Sequence, residues 1–484
     1  MVELSATVER RRSEWAWRPV LAVAGGITLL LIALSGRYDY HRDELYFRLL
    51  GQHPQWGYVD QPPFTPLLAR LSIEIFGDHL WAIRIVPAVL AGVAAVLVAA
   101  IAREFGGRAV AQTLAAIGAA GTLPLAGAHV GSTANTDTVV WLGILLCAVR
   151  AVVHGQQRAW LVAGVITGLG LYNKLLVVLL LICLAGGLLI AGPRRELASK
   201  WLWAGAALAL VIGLPNLIYQ VTHDFPQSHM AAAIAEDKGT ESRIMLLPIQ
   251  LVIIGVPLLP VLVAGIIGAY RRFRALVVAY GLMLILTFAT GGQPYYTTGL
   301  VLTLFAIGAV SAETWRWRRT LGVVVAVNLV FAVVFALPVL PADKLGPITD
   351  INIVMADQIG WPEYVSQVEQ ALATLTPDER ARAVVFTGNY GEAGALDRYG
   401  VRDVYSGHNE LGYFPPPPDS KTIAVVLSQA PPDRVNATFG GCDQVGQLSN
   451  SAGVGNEETE AFLYVCKQLP APWSQMWPEL RHFG

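Results

Sequence analysis

Residues 37–77 pack Asp39, His41, Arg42, Asp43, Glu44 and Asp60 between two apolar spans. Ionisable groups crowded against a bilayer mark a functional site by default. A carboxylate placed there can take a proton from a reacting group, and a cation can steady an anion. Tyr38, Tyr40, Tyr46, Phe47, Trp56 and Tyr58 interleave with the charges, and the stiff Gln61-Pro62-Pro63 leads into an amphipathic segment over 64–76. Asp43 also suits the N-cap of a short helix over 44–50 that stops at Gly51. Capping explains Asp43 alone and leaves the rest of this long, structured loop unexplained.

More polar side chains recur at the ends of hydrophobic segments. Asp137 closes the polar patch 128–137 and on its own suits an N-cap. Lys174 ends the small-residue run 164–174, where a lone lysine can snorkel to the interface. His223 and His229 follow a fourth segment, and Tyr295 and Tyr296 sit at a fifth edge as belt aromatics. Two histidines with no clear partners read first as interfacial rather than as metal ligands.

The elements that must position these groups are membrane spans. The chain has 484 residues, of which 54% are hydrophobic and 14% charged, and its mean hydropathy is +0.50. That composition describes a polytopic α-helical membrane protein. Apolar runs near 19–35, 80–102, 109–127, 138–153, 159–172, 175–192, 201–219, 247–269, 275–291, 298–313 and 320–340 predict about 11 transmembrane helices. The first follows Arg10, Arg11, Arg12 and Arg18 without a small-residue cleavage site, so it is expected to be retained. Placing the N-terminus in the cytoplasm puts 17 of the 25 Lys and Arg of the first 340 residues on that side. Residues 37–77 and the tail then face the exterior.

Beyond residue 340 the composition changes. The segment 341–484 carries 18 acidic and 9 basic residues, against 17 and 25 before it. Helical periodicity over 362–375 and strands near 384–387, 403–405, 422–428 and 461–466 predict a small extracytoplasmic α/β domain. Cys442 and Cys466 can pair in an oxidising compartment, with two free thiols as the alternative. No Walker A sequence, Rossmann fingerprint, HExxH or paired CxxC is present, and the tail has no basic cluster to hold nucleic acid.

The run RDELYF at 42–47 and GYVDQPPFTPLLARLS at 57–72 resemble the first extracytoplasmic loop of family 39 glycosyltransferases. That family has the GT-C fold and includes the protein O-mannosyltransferases and the bacterial aminoarabinose transferases that modify lipid A. The resemblance implies Asp43 as the catalytic aspartate with Glu44 beside it, and Asp137 as a second active-site carboxylate. It implies Lys174 as a contact to a lipid phosphate. His41, Arg42, Tyr58, Asp60, Gln61, His223, Tyr295 and Tyr296 are the remaining expected substrate contacts. Asp43 and Asp137 would hold a divalent metal if one takes part. The implied partners are a polyprenyl-phosphate sugar donor, membrane lipid, and a glycan, lipid or protein acceptor. The implied reaction is sugar transfer with inversion. A transporter or flippase of a lipid-linked sugar is the alternative, but such proteins place polar groups at midplane and often show repeats, neither of which is seen here.

Overall fold

The computed structural model describes residues 13–484, so Arg10, Arg11 and Arg12 lie outside the described residues. Among the described residues, six helices are long and apolar enough to cross a membrane: Trp17–Leu34, Leu80–Glu104, Thr133–His154, Lys200–Thr222, the segment Pro294–Ala312, and Arg318–Ala336. Two further candidates are bent pairs, Ala109–Gly118 with Thr122–His129 at 57° and Gly239–Val252 with Val256–Arg272 at 65°. Ala159–Gly170, Leu176–Ala191 and Arg274–Thr290 are apolar but shorter. The count of eleven expected from hydropathy is reached only if each bent pair and each short helix spans. The chain is a multi-pass membrane protein. Its large outward side chains, among them Val211, Ile285 and Val323, are exposed and apolar, as a surface meeting hydrocarbon requires.

The two bends meet. A Cβ on Gly121, at the first break, would stand 2.3 Å from the Ile253 carbonyl oxygen at the second, so only glycine permits the approach. Gly255 turns the second chain at φ +95°. Asn328 Nδ2 donates to the Ile254 oxygen at 3.0 Å, satisfying a carbonyl that the broken helix frees. Hydropathy windows average over such breaks, which is why each pair reads in sequence as one straight span.

The first loop folds into two helices, Arg42–Gln52 and the amphipathic Phe64–Phe76. The second leaves Leu67, Leu71 and Ile75 exposed along one side, as an interfacial helix does. The tail contains a five-stranded sheet of order β2-β1-β3-β5-β4. Its strands are β1 (Ala383–Thr387), β2 (Val404–Ser406), β3 (Ile423–Ser428), β4 (Cys442–Gln447) and β5 (Phe462–Cys466). β1 runs parallel to β2 and β3, while β5 is antiparallel to β3 and β4. The strand β4 escapes sequence reading because CDQVGQ is a largely exposed edge with no apolar alternation. The Cys442–Cys466 disulfide ties it to β5.

Loop and sheet unit pack directly on one another. Arg48 bridges Asp78 at 2.7 Å and Asp397 at 2.5 Å. Trp361 Nε1 donates to the Tyr40 oxygen at 2.8 Å, and the Val59 N–H donates to Glu410 Oε2 at 2.9 Å. The two therefore occupy the same side of the membrane helices.

Candidate active site

The helix Arg42–Gln52 begins two residues earlier than an Asp43 cap would require. His41 is the cap: its Nδ1 accepts from the Asp43 N–H at 3.2 Å, and its own N–H donates to Glu44 Oε2 at 2.8 Å. Asp43 sits inside the first turn. Asp137 lies further in, beyond the first turn of the helix Thr133–His154, whose N-cap is Ser132. Neither carboxylate is needed for capping, so the structural alternative for both is removed.

Both carboxylates line one cavity of about 220 Å³, together with His41, Lys174, Tyr295 and Tyr296. Leu90, Leu123, Trp141 and Leu302 supply much of its apolar wall. Lys174 is carried by the short turn between two helices, and that turn is fixed on both sides. Asn173 Nδ2 donates to the Thr133 oxygen at 2.9 Å, and the Thr65 hydroxyl donates to Asn173 Oδ1 at 2.9 Å. The Lys174 ammonium stands 4.9 Å from the Tyr296 ring centroid and 5.9 Å from that of Tyr295. Burial works against its charge, but the two tyrosines, Asp137 and Asp43 outweigh burial and raise its pKa. It remains a cation.

Asp43 is held from the other side by a residue far away in sequence. The Tyr390 hydroxyl donates to Asp43 Oδ1 at 2.9 Å. The Tyr390 ring stacks on Tyr46 at 4.5 Å. Burial, and then the Asp43 charge, push the Tyr390 hydroxyl well above its ordinary pKa, so it stays a donor.

Several expected contacts lie elsewhere. Glu44 does not line the cavity. It is fully buried against Arg84, with Nη2 to Oε2 at 2.8 Å and neither side chain more than 1% exposed. Glu44 Oε1 also accepts from the Gly131 N–H at 2.8 Å, just before the helix that carries Asp137. Glu44 therefore positions the Asp43 loop against the Asp137 helix. Arg42 turns away to pair with Glu457 and lies over the Tyr390 ring at 5.0 Å. Tyr58 is buried, its hydroxyl 3.2 Å from both the Leu50 and His53 oxygens, and its N–H donates to the Gln61 oxygen. Asp60 is raised to about 7, first by burial and then by the neighbouring Glu410. His223 is exposed at a helix end, stacked on Tyr219 at 4.0 Å. Tyr58, Asp60, Gln61 and His223 take no part in the cavity wall: the first three are packed within the loop and against the tail, and His223 faces outward.

Sequence reasoning missed Arg84 and Tyr390. Arg84 left a signal, since it is a charge inside an otherwise apolar span. Tyr390 stands in the Gly-rich loop 388–394, which reads as an ordinary turn or as a contact to an acceptor or the first loop, and nothing in the sequence pairs it with Asp43, 347 residues away. Among the described residues, no three His, Cys, Asp or Glu side chains converge as metal ligands.

Residues 60–219 match the family described as dolichyl-phosphate-mannose-protein mannosyltransferase. The matched stretch includes Asp137 and Lys174 but begins after Asp43. The structure is similar to that of ArnT from Cupriavidus metallidurans bound to undecaprenyl phosphate, at 17% identity and a TM-score of 0.60, over 92% of this chain and 97% of that one. The apo state of the same protein aligns at 15% identity and a TM-score of 0.59, over 93% and 98%. Among curated proteins none matches the chain. The fold is thus that of the GT-C glycosyltransferases, as the first loop implied.

Proposed function

We propose that the chain is an integral-membrane glycosyltransferase that moves a sugar from a polyprenyl-phosphate donor to an extracytoplasmic acceptor. One observation carries this reading: Asp43, Asp137 and Lys174 line a single cavity whose remaining wall is largely apolar. A phosphate belongs beside the Lys174 ammonium. The isoprenoid tail belongs along the apolar wall, which explains why a transferase is built from so many spans.

In this mechanism the acceptor hydroxyl gives its proton to the free oxygen of Asp43, while Tyr390 holds the other. The acceptor oxygen bonds to the anomeric carbon as the bond from that carbon to the phosphate oxygen breaks. The electron pair leaves with the polyprenyl phosphate, whose charge Lys174 steadies. A single displacement of this kind inverts the anomeric centre. Asp137 orients the substrate from across the cavity, and no step runs through a metal. Arg42, committed to Glu457, is not assigned to the phosphate. The reading includes a cytoplasmic N-terminus, eleven spans within residues 1–340, and an exterior unit from 341 to 484. The sheet unit and the catalytic loop share one side because they touch.

Asp43→Asn tests the assignment. Transfer of radiolabelled sugar from lipid by the purified protein is expected to fall by about 10²–10⁴-fold, the usual worth of a general base, with the protein still in the membrane fraction. Turnover at the wild-type rate would overturn it.

A further inference from the structure

The strands β1 and β3 are adjacent and parallel, yet the chain leaves them in opposite directions. The helix after β1, Tyr390–Arg398, packs on one face of the sheet with Trp361 and Val365. The helix after β3, Pro432–Phe439, packs on the other with Trp473 and Trp477. Such a switch point opens a crevice beyond the carboxyl ends of the strands, and open α/β sheets bind their ligands there. Here the crevice measures about 750 Å³, more than three times the catalytic cavity, and Gly388, Asn389 and Ser428 at those strand ends line it.

Two observations point to a ligand. Arg42 lines the crevice, is only 8% exposed, and its Nε–H has no hydrogen-bond partner. A buried donor left unmatched is a strong call for an acceptor. Tyr390 also lines the crevice, and it is the same residue that donates to Asp43. The wall of this crevice therefore holds the proposed base.

We propose that this crevice binds the non-reacting part of a neutral carbohydrate acceptor. The charges around it nearly balance, three cationic side chains against four acidic ones, so no net field favours an anion. What remains is a mixture of donors, acceptors and flat rings: Asn389, Tyr390, the His482 ring stacked at 4.8 Å on His408, and Phe386. Polyhydroxylated chains are recognised by such a surface, with hydroxyls on the open Arg42 Nε–H and the amide group and the sugar faces on the rings. The assignment of the ligand as acceptor rests on the proposed transferase function. The crevice itself does not.

The experiment measures equilibrium binding by the purified full chain in nanodiscs. The probes are fluorescent manno-, gluco- and galacto-hexasaccharides, tripolyphosphate, a dodecapeptide library and undecaprenyl phosphate. At least one hexasaccharide is expected to bind the wild type. His482→Ala and the crevice-filling Thr438→Trp are each expected to weaken it at least tenfold while undecaprenyl phosphate binds as before. The proposal is overturned if no hexasaccharide binds, if neither variant weakens one, or if tripolyphosphate or peptide binds there instead. Loss of undecaprenyl phosphate binding in the wild type, with the hexasaccharide pattern intact, would remove the transferase reading and leave the crevice site standing.

Discussion

At the scale of single residues, Asp43 owes its availability to its neighbours. His41 caps the helix, Glu44 satisfies Arg84, and Tyr390 anchors one Asp43 oxygen. Removing the anchor in Tyr390→Phe should slow transfer by roughly tenfold through lost orientation, with the melting temperature little changed. Steady-state kinetics and a thermal melt on the same preparation check both halves. Asp60 carries a different consequence. Its pKa of about 7 means that the folded chain holds a proton which the unfolded chain releases near 4. Folding stability therefore falls as pH rises from about 4 to 7 and is level above that range. Thermal melts of the wild type should drop by several degrees across the window, and Asp60→Asn should flatten the slope. The chemistry-bearing residues were legible because charge beside a bilayer is conspicuous. Which of them point inward was not, because Arg42, Asp43 and Glu44 are consecutive and helix geometry sends them to three different partners.

At the scale of elements, the apolar helices followed from hydropathy, whereas the breaks at Gly121 and Gly255 depend on a contact between two distant helices. The buried Glu44–Arg84 pair acts at this level too, since it clamps the first loop to the helix Leu80–Glu104 and, through Gly131, to the Asp137 helix. Arg84→Met should destabilise the protein by about 3–5 kcal/mol, because a lone carboxylate would remain buried. The double variant Glu44→Leu with Arg84→Met should recover much of that stability while transfer stays low, the hydrogen bond to Gly131 being gone. Denaturation in detergent alongside a transfer assay separates the two effects. The disulfide closing Cys442 to Cys466 spans 24 residues. Replacing both cysteines with serine should lower the stability of the sheet unit by about 3 kcal/mol, measurable by limited proteolysis.

For the whole molecule, the first loop and the sheet unit form one assembly on one side of the helices. The sequence implied this only indirectly, through charge placement and the resemblance of the first loop. The structure supplies direct contacts such as Arg48 with Asp397. Topology is open to a simple check. A cysteine introduced at the exposed Tyr413 should react with an impermeant thiol reagent on intact cells, and one at the exposed Arg195 should react only after lysis. The reverse pattern would invert the proposed orientation. The most direct measurement is a cryo-electron microscopy structure of the protein with undecaprenyl phosphate. The phosphate is expected in the cavity shared by Asp43 and Asp137, with an oxygen about 3 Å from the Lys174 ammonium and the isoprenoid tail along the apolar wall. A phosphate seated elsewhere, with Lys174 making no contact to it, would contradict the transferase mechanism built on this cavity.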